Sequence, residues 1–237
     1  MTCASLRLDD FAAEPAVRGF LHEPLHPAGD GIVLAHGAGA TCESILLQEM
    51  ASAFAAGGWA ALRINLPFRQ MRPHGPPSPG GAERDREGLR RAVSVIRSKA
   101  PGRIFLGGHS YGGRQATLLV SGEPQAADGL LLLSYPLHPP KKPDQLRTGH
   151  FPKLTKPAFF VHGTRDPFGT IEEMRSALAL IPAPHAMLQV EGADHGLAPK
   201  KGVAEWCAKV AQEFQTFIDG DIARGAAGRG SSATAAR

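Results

Sequence analysis

Apolar residues along the chain fall into two kinds of run, and the two kinds alternate. The first kind is short and mostly apolar: GIVLA at 31–35, WAALRI at 59–64, RIFL at 103–106, GLLLL at 129–133, PAFFV at 157–161 and AMLQV at 186–190, with GIVLA and GLLLL free of any polar residue. The second repeats apolar residues every three or four positions, the period of a helix. Leu47, Met50 and Phe54 share a face within 44–56, and Leu89, Val93 and Ile96 form one stripe in the charged stretch 83–99. Val203, Trp206, Val210, Phe214 and Phe217 do the same over 203–218, and 111–120 and 171–180 are read as helices between strands. Strands without polar alternation belong to parallel sheets whose two faces are both covered by helices. The pattern therefore predicts a single doubly wound, mostly parallel α/β domain over 1–219, without internal repeats. Residues 65–81 are rich in proline and glycine and read as a long surface loop, a feature often tied to function. From 220 to 237 the chain turns to Ala, Gly, Ser and Arg without a period, which predicts a disordered tail.

Composition narrows the function classes. With 237 residues, 43% hydrophobic and 20% charged, the chain can build one large core. The net charge of +4 comes from scattered Lys and Arg, so it reads as solvated surface and not as a nucleic-acid footprint. Cys3, Cys42 and Cys207 are far apart and form no CxxC, which speaks against a disulfide framework or a zinc site. The histidines lack the spacing of HExxH, and Gly37-x-Gly39 lacks the third glycine of a dinucleotide loop, so no metal and no cofactor are expected. The first residues carry neither a basic nor an apolar signal region, and no apolar run approaches the ~18 residues of a membrane span. The expectation is a cytoplasmic protein without a membrane or nucleic-acid partner.

In a doubly wound sheet, ligands bind beyond the carboxyl ends of the strands. Past the first apolar run comes HGAGA at 36–40; past the third comes GGHSYGG, which places glycines on both sides of Ser110. Past PAFFV comes HGTRD, ending in Asp166, and past the last comes EGADHG with His195. Serine, carboxylate and histidine thus follow three separate strands, in the chain order of Ser-Asp-His triads. A serine hydroxyl needs a neighbouring base to take its proton, and His195 is suited to that work. Asp166 would fix the imidazole tautomer; Asp194 competes for this role, but adjacent side chains on an extended loop point apart. The Tyr111 and Ala38 N–H groups are the candidate donors to an oxyanion. His36, His109 and His162 are read as braces for their loops.

The strings SYPLHPPKKPDQLR, HGTRDPFGT and GADHGL resemble the α/β-hydrolase superfamily. Within it they resemble the small dienelactone-hydrolase-like family related to testis-expressed and non-specific-lethal-complex hydrolase-like subunits. The likeness runs from about Gly31 to Ile218. It implies an α/β-hydrolase fold with Ser110, Asp166 and His195 as triad and HGAGA as oxyanion loop; some relatives are similar to adaptor subunits that lost catalytic residues, a departure this chain does not share. The expected activity is cleavage of a small carboxylic ester, or a thioester or amide, through an acyl-enzyme. A non-catalytic interaction module and an acyltransferase stay open as alternatives. The insertion at 134–156 is short and holds Pro136, Pro139, Pro140 and Pro143, which predicts a stiff flap, a minimal cap and a shallow site.

Overall fold

The computed structural model describes residues 5–78 and 80–230, the last ten of these as backbone only. One sheet of eight strands organises it, in the order β1-β2-β4-β3-β5-β6-β7-β8. The strands are β1 (Ser5–Asp10), β2 (Val17–His22), β3 (Gly31–Ala35), β4 (Ala60–Asn65), β5 (Ile104–His109), β6 (Gly129–Leu133), β7 (Ala158–Gly163) and β8 (His185–Val190). From β4 to β8 every pairing is parallel; β1 and β2 add an antiparallel hairpin to the β4 edge. Among the described residues the α-helices are α1 (Ile45–Ala56), α2 (Pro67–Met71), α3 (Ala82–Arg97), α4 (Tyr111–Gly122), α5 (Ile171–Leu178) and α6 (Val203–Gly230).

The unbroken apolar strands alternate between two cores. Ile32, Leu34, Leu131 and Leu133 face α1 and α6, where they meet Leu47, Met50, Phe54, Val210 and Phe214. Val33, Leu130 and Leu132 face the opposite core, which holds Leu89, Val93 and Ile96 of α3, Ala116 and Val120 of α4, and Met174 of α5. Strands buried on both faces have no polar side to show, which is why their sequence carries no alternation. β3 pairs with β4 on one side and β5 on the other, so the strand order reverses there. A crevice opens at such a reversal, beyond the carboxyl ends.

Two parts differ from the sequence reading. The β1–β2 hairpin is absent from it, because β1 is largely exposed and mixes Leu6 and Leu8 with Arg7, Asp9 and Asp10. The loop at 65–81 contains α2, started by Pro67 at the first helical position, where a missing N–H costs nothing. The backbone of α6 is helical to Gly230, beyond position 220. Residues 231–237 of the tail expected from 220 lie outside the described residues.

The segment 134–156 forms a cap without a regular helix of its own beyond the single turn Phe151–Lys153. Tyr135, Leu137, Phe151 and Leu154 are buried in the main core, and the Tyr135 hydroxyl donates to the Arg147 carbonyl at 2.7 Å. The Arg147 N–H returns to the Leu137 carbonyl at 2.8 Å. Side chains fastened in this way make a fixed flap. No helix among the described residues is long and apolar enough to cross a membrane.

Candidate active site

β5 hands over to α4 through Ser110, whose backbone sits at φ 50°, ψ −112°. Non-glycine residues avoid positive φ, so surrounding structure must hold this one in place. The Ser110 N–H donates to the Leu133 carbonyl at 2.9 Å, and the Ser110 carbonyl accepts the Arg114 N–H at 2.9 Å. The flanking glycines answer a steric demand from β3. A Cβ on Gly108 would lie 2.2 Å from the Ala35 carbonyl oxygen, and one on Gly112 would lie 2.6 Å from the same atom. Glycine is required because the elbow presses against the end of β3.

The other two candidate residues meet Ser110 from separate strands. His195, on the loop after β8, places Nε2 2.8 Å from the Ser110 Oγ. Its Nδ1 lies 2.8 Å and 3.0 Å from the two carboxylate oxygens of Asp166, on the loop after β7. Asp166 also accepts the Phe168 N–H at 2.9 Å. Burial pushes the Asp166 pKa up, but the hydrogen bond and charge of His195 outweigh it and hold the carboxyl below its usual range. Asp194 is exposed and turns to its own loop, accepting the Gly196 N–H at 2.9 Å. The Ser110 and Asp166 side chains are buried, while the His195 side chain stays 22% exposed.

HGAGA lies beside the elbow; a Cβ on Gly37 would sit 3.5 Å from the Ser110 Cβ. The Gly37 carbonyl accepts from His36 Nδ1 at 2.8 Å and from the Ala40 N–H at 3.1 Å. A trans peptide points its N–H opposite to its carbonyl, so the Ala38 N–H is turned away from His36. Neither the Ala38 N–H nor the Tyr111 N–H donates to an acceptor among the described residues. The three bracing histidines each reach a carbonyl: His36 that of Gly37, His109 that of His195 at 2.7 Å, His162 that of Gly169 at 2.8 Å. His36 Nε2 also accepts the Leu66 N–H at 3.1 Å, so the ring is neutral, and burial lowers its pKa to about 4.

Other contacts at the site carry no motif. Arg69 of α2 is buried and pairs with no carboxylate among the described residues. Its guanidinium donates instead to the carbonyls of Ala38 (2.7 Å), Ala40 (2.9 Å), Arg72 (3.3 Å), Pro73 (2.9 Å) and Gly75 (3.1 Å). It thereby ties HGAGA to the proline-rich loop. Phe168 stacks on the His195 ring with centroids 4.0 Å apart. Asp85 of α3, fully buried, accepts the Tyr111 hydroxyl at 2.7 Å and the Phe68 N–H at 3.0 Å, which fixes the residue after the nucleophile. A lone arginine after LPF, an aromatic two residues past Asp166 and an acid in a charged helix are unremarkable in sequence; only their placement in space distinguishes them.

Comparison with known proteins agrees with this architecture. A dienelactone hydrolase from Anabaena variabilis superposes with a TM-score of 0.72 at 17% identity, covering 91% of this chain and 99% of that one. Est1E from Butyrivibrio proteoclasticus gives 0.70 at 16% identity, covering 91% and 100%. XC6422 from Xanthomonas campestris, described as a serine hydrolase without lid, gives 0.62 at 14% identity, covering 92% and 95%. At these identities the likeness is one of fold. Residues 28–219 match the Alpha/beta hydrolase domain family, which is most of the chain, and the chain belongs to that family.

Proposed function

We propose that the protein is a serine hydrolase acting on small carboxylic esters, with Ser110 as nucleophile, His195 as general base and acid, and Asp166 as its orienting carboxylate. The observation that carries this reading is the continuous chain of contacts from the Ser110 Oγ through His195 to Asp166, each 2.8 Å long. His195 Nε2 takes the hydroxyl proton as Oγ bonds to the substrate carbonyl carbon. Charge then gathers on the carbonyl oxygen, where the Ala38 and Tyr111 N–H groups, free of other acceptors, can receive it. His195 returns the proton to the leaving alcohol as the C–O bond breaks and the acyl-enzyme forms. Water repeats the sequence: His195 takes its proton as its oxygen bonds to the acyl carbon, then returns that proton to Ser110 Oγ as the Oγ–acyl bond breaks and the carboxylic acid leaves. Asp166 stays ionised and stabilises the imidazolium at both stages.

An open site favours water over another acceptor, and so hydrolysis over acyl transfer. The His195 side chain is 22% exposed, so water reaches the imidazole. The strained Ser110 backbone argues against a mere interaction module, which gains nothing from such a turn. The kinship to testis-expressed and non-specific-lethal-complex subunits belongs to the same proposal and is supported by the strings SYPLHPPKKPDQLR, HGTRDPFGT and GADHGL. A short flap with no helix of its own beyond Phe151–Lys153 offers long acyl chains little wall, and so little of the ~0.8 kcal/mol available per buried methylene. A p-nitrophenyl ester series, run with and without emulsion, tests the reading. kcat/KM should peak at short acyl groups and ignore the emulsion; a steady rise through long chains, or a jump at an interface, would contradict it.

A further inference from the structure

The flap carries an unusual share of the protein's charge. Between 134 and 156 lie Lys141, Lys142, Arg147, Lys153 and Lys156 against the single acid Asp144, an excess equal to the net +4 of the whole chain. Folding brings part of that charge against α4. A cleft of about 600 Å3 runs between them, lined on the α4 side by Arg114, Leu118, Ser121 and Gly122 and on the flap side by Leu146, Arg147, Gly149, His150 and Lys153. Positions 114, 118, 121 and 122 share one helical face. No carboxylate lines the cleft.

Its cations are under-used. Among the described residues Arg114, Arg147 and Lys153 make no ion pair. Arg114 Nε is buried without a hydrogen-bond partner, and Arg147 reaches only the Pro136 carbonyl, at 3.2 Å. Glu123, the acid that follows the last residue of α4, is turned to Arg90 at 2.9 and 3.0 Å. The crowding is felt by neighbouring groups: burial and then Arg114 lower Arg147 below its usual range, and the same two causes bring His150 to about 4. His150 Nε2 lies 2.8 Å from the Thr117 Oγ1, and that hydroxyl donates to the Arg114 carbonyl, so Nε2 carries the proton and Nδ1 is left as an acceptor. Like charges gathered on a half-buried wall, with no acid to answer them, ask for an anion from outside.

We propose that this cleft is a second binding site, separate from Ser110, for a small organic phosphate monoester. Two guanidinium forks suit the tetrahedral oxygens of a phosphoryl group, and Lys153 supplies a third charge at the rim. A dianion matches three cations better than a carboxylate does. The volume exceeds that of a bare phosphate, and Leu118 with the exposed Leu146 offers apolar wall for the organic part. The His150 Nδ1 can accept a hydroxyl of that part. The site does not depend on the hydrolase reading: Arg114 meets Ser110 only through its backbone N–H, and among the described residues no side chain lining the cleft hydrogen-bonds to Ser110, Asp166 or His195.

Titration calorimetry of the full chain with phenyl phosphate, in a low-salt buffer free of phosphate, tests this. One saturable site per chain is expected, weakening as salt screens the cations. Arg114→Gln and Arg147→Gln should each lower affinity about tenfold or more, as loss of a charge-assisted pair does. Lys153→Met, on an exposed side chain with no structural contact to lose, should weaken binding about threefold and keeps the test valid if an arginine variant misfolds. Protein labelled covalently at Ser110 should bind phenyl phosphate as tightly as unlabelled protein. No saturation, binding indifferent to Lys153→Met and to folded arginine variants, or binding abolished by the Ser110 label would each overturn the proposal. Inorganic phosphate binding as tightly as phenyl phosphate would overturn the role given to the organic part.

Discussion

The two ends of the sheet differ in a way that cavity size hides. At the amino end, before β3, β4 and β5, a cleft of about 640 Å3 is walled by Phe54, Trp59 and Ala211. Its charges are paired: Arg103 holds Asp30 at 2.9 Å through Nε and Asp219 at 3.2 Å. The positive φ angles beside it belong to Gly29 and Gly58, where they cost little. At the carboxyl end, by contrast, the backbone is strained. Among the described residues, all four non-glycine positions at positive φ lie past carboxyl ends: Ser110 after β5, Ser134 and Lys141 after β6, and Leu197 after β8. Strain and linked polar side chains mark where chemistry is expected; volume alone marks a gap between two helices.

If that contrast is right, substitutions at the two ends should separate by orders of magnitude. Ser110→Ala should lower kcat for a p-nitrophenyl ester by about 10^4-fold to 10^6-fold, the range seen when a triad nucleophile is removed. Asp30→Asn at the opposite end should leave kcat/KM within about twofold, since its mostly buried pair with Arg103 supports the fold and lies at the far end of the sheet from Ser110. Comparable losses from both would erase the distinction.

The second test stays within the carboxyl end. Asp166→Asn should cost about 10^4 in kcat by stabilising the wrong imidazole tautomer. Asp194→Asn should cost less than about tenfold, because its carboxylate serves only its own turn. Equal damage in two folded variants would mean that the 2.8 Å contact to Asp166 does not orient the working base.

Arg69→Met tests how HGAGA is held. Loss of the five carbonyl contacts should lower kcat by roughly 10 to 100-fold while KM changes little, as expected when an oxyanion donor is loosened. A rise in KM at constant kcat would make Arg69 a substrate contact instead.

The smallest expected effect is on stability against pH. His22, His36 and His150 each have a pKa lowered from 6.5 to about 4, chiefly by burial. Arg63 Nε donates to His22 Nε2 at 2.9 Å, which also requires the neutral ring. The unfolded chain therefore binds more protons than the folded one between these values. Stability should be full above about pH 6.5, fall as pH drops toward about 4, and level off with respect to these groups below that. Urea unfolding at a series of pH values reads the slope, and His36→Gln should flatten it by about one proton. An unchanged slope would place the acid sensitivity elsewhere.

Legibility in the sequence followed burial. β3 and β6 coincide to the residue with the apolar runs at 31–35 and 129–133, because a strand covered on both faces is a continuous apolar run with sharp ends. The β1–β2 hairpin left no such trace, as one of its strands is mostly solvated and its role is to cover an edge. The triad candidates were legible because each follows a strand within one short string. Arg69, Asp85 and Phe168 were not, since their partners are backbone atoms and rings distant in sequence. Arginine bound to carbonyls has no spacing rule to search for. The cationic cleft was hidden for the same reason: its charges look scattered along the chain until the flap folds onto α4.

The central claim is that His195 and Asp166 activate Ser110 alone among the serines. Labelling with a fluorophosphonate, followed by peptide mass spectrometry, tests it most directly. One equivalent of label per chain should appear on Ser110, fall sharply in His195→Ala and vanish in Ser110→Ala. Label on another serine, or label that survives Ser110→Ala, would contradict it.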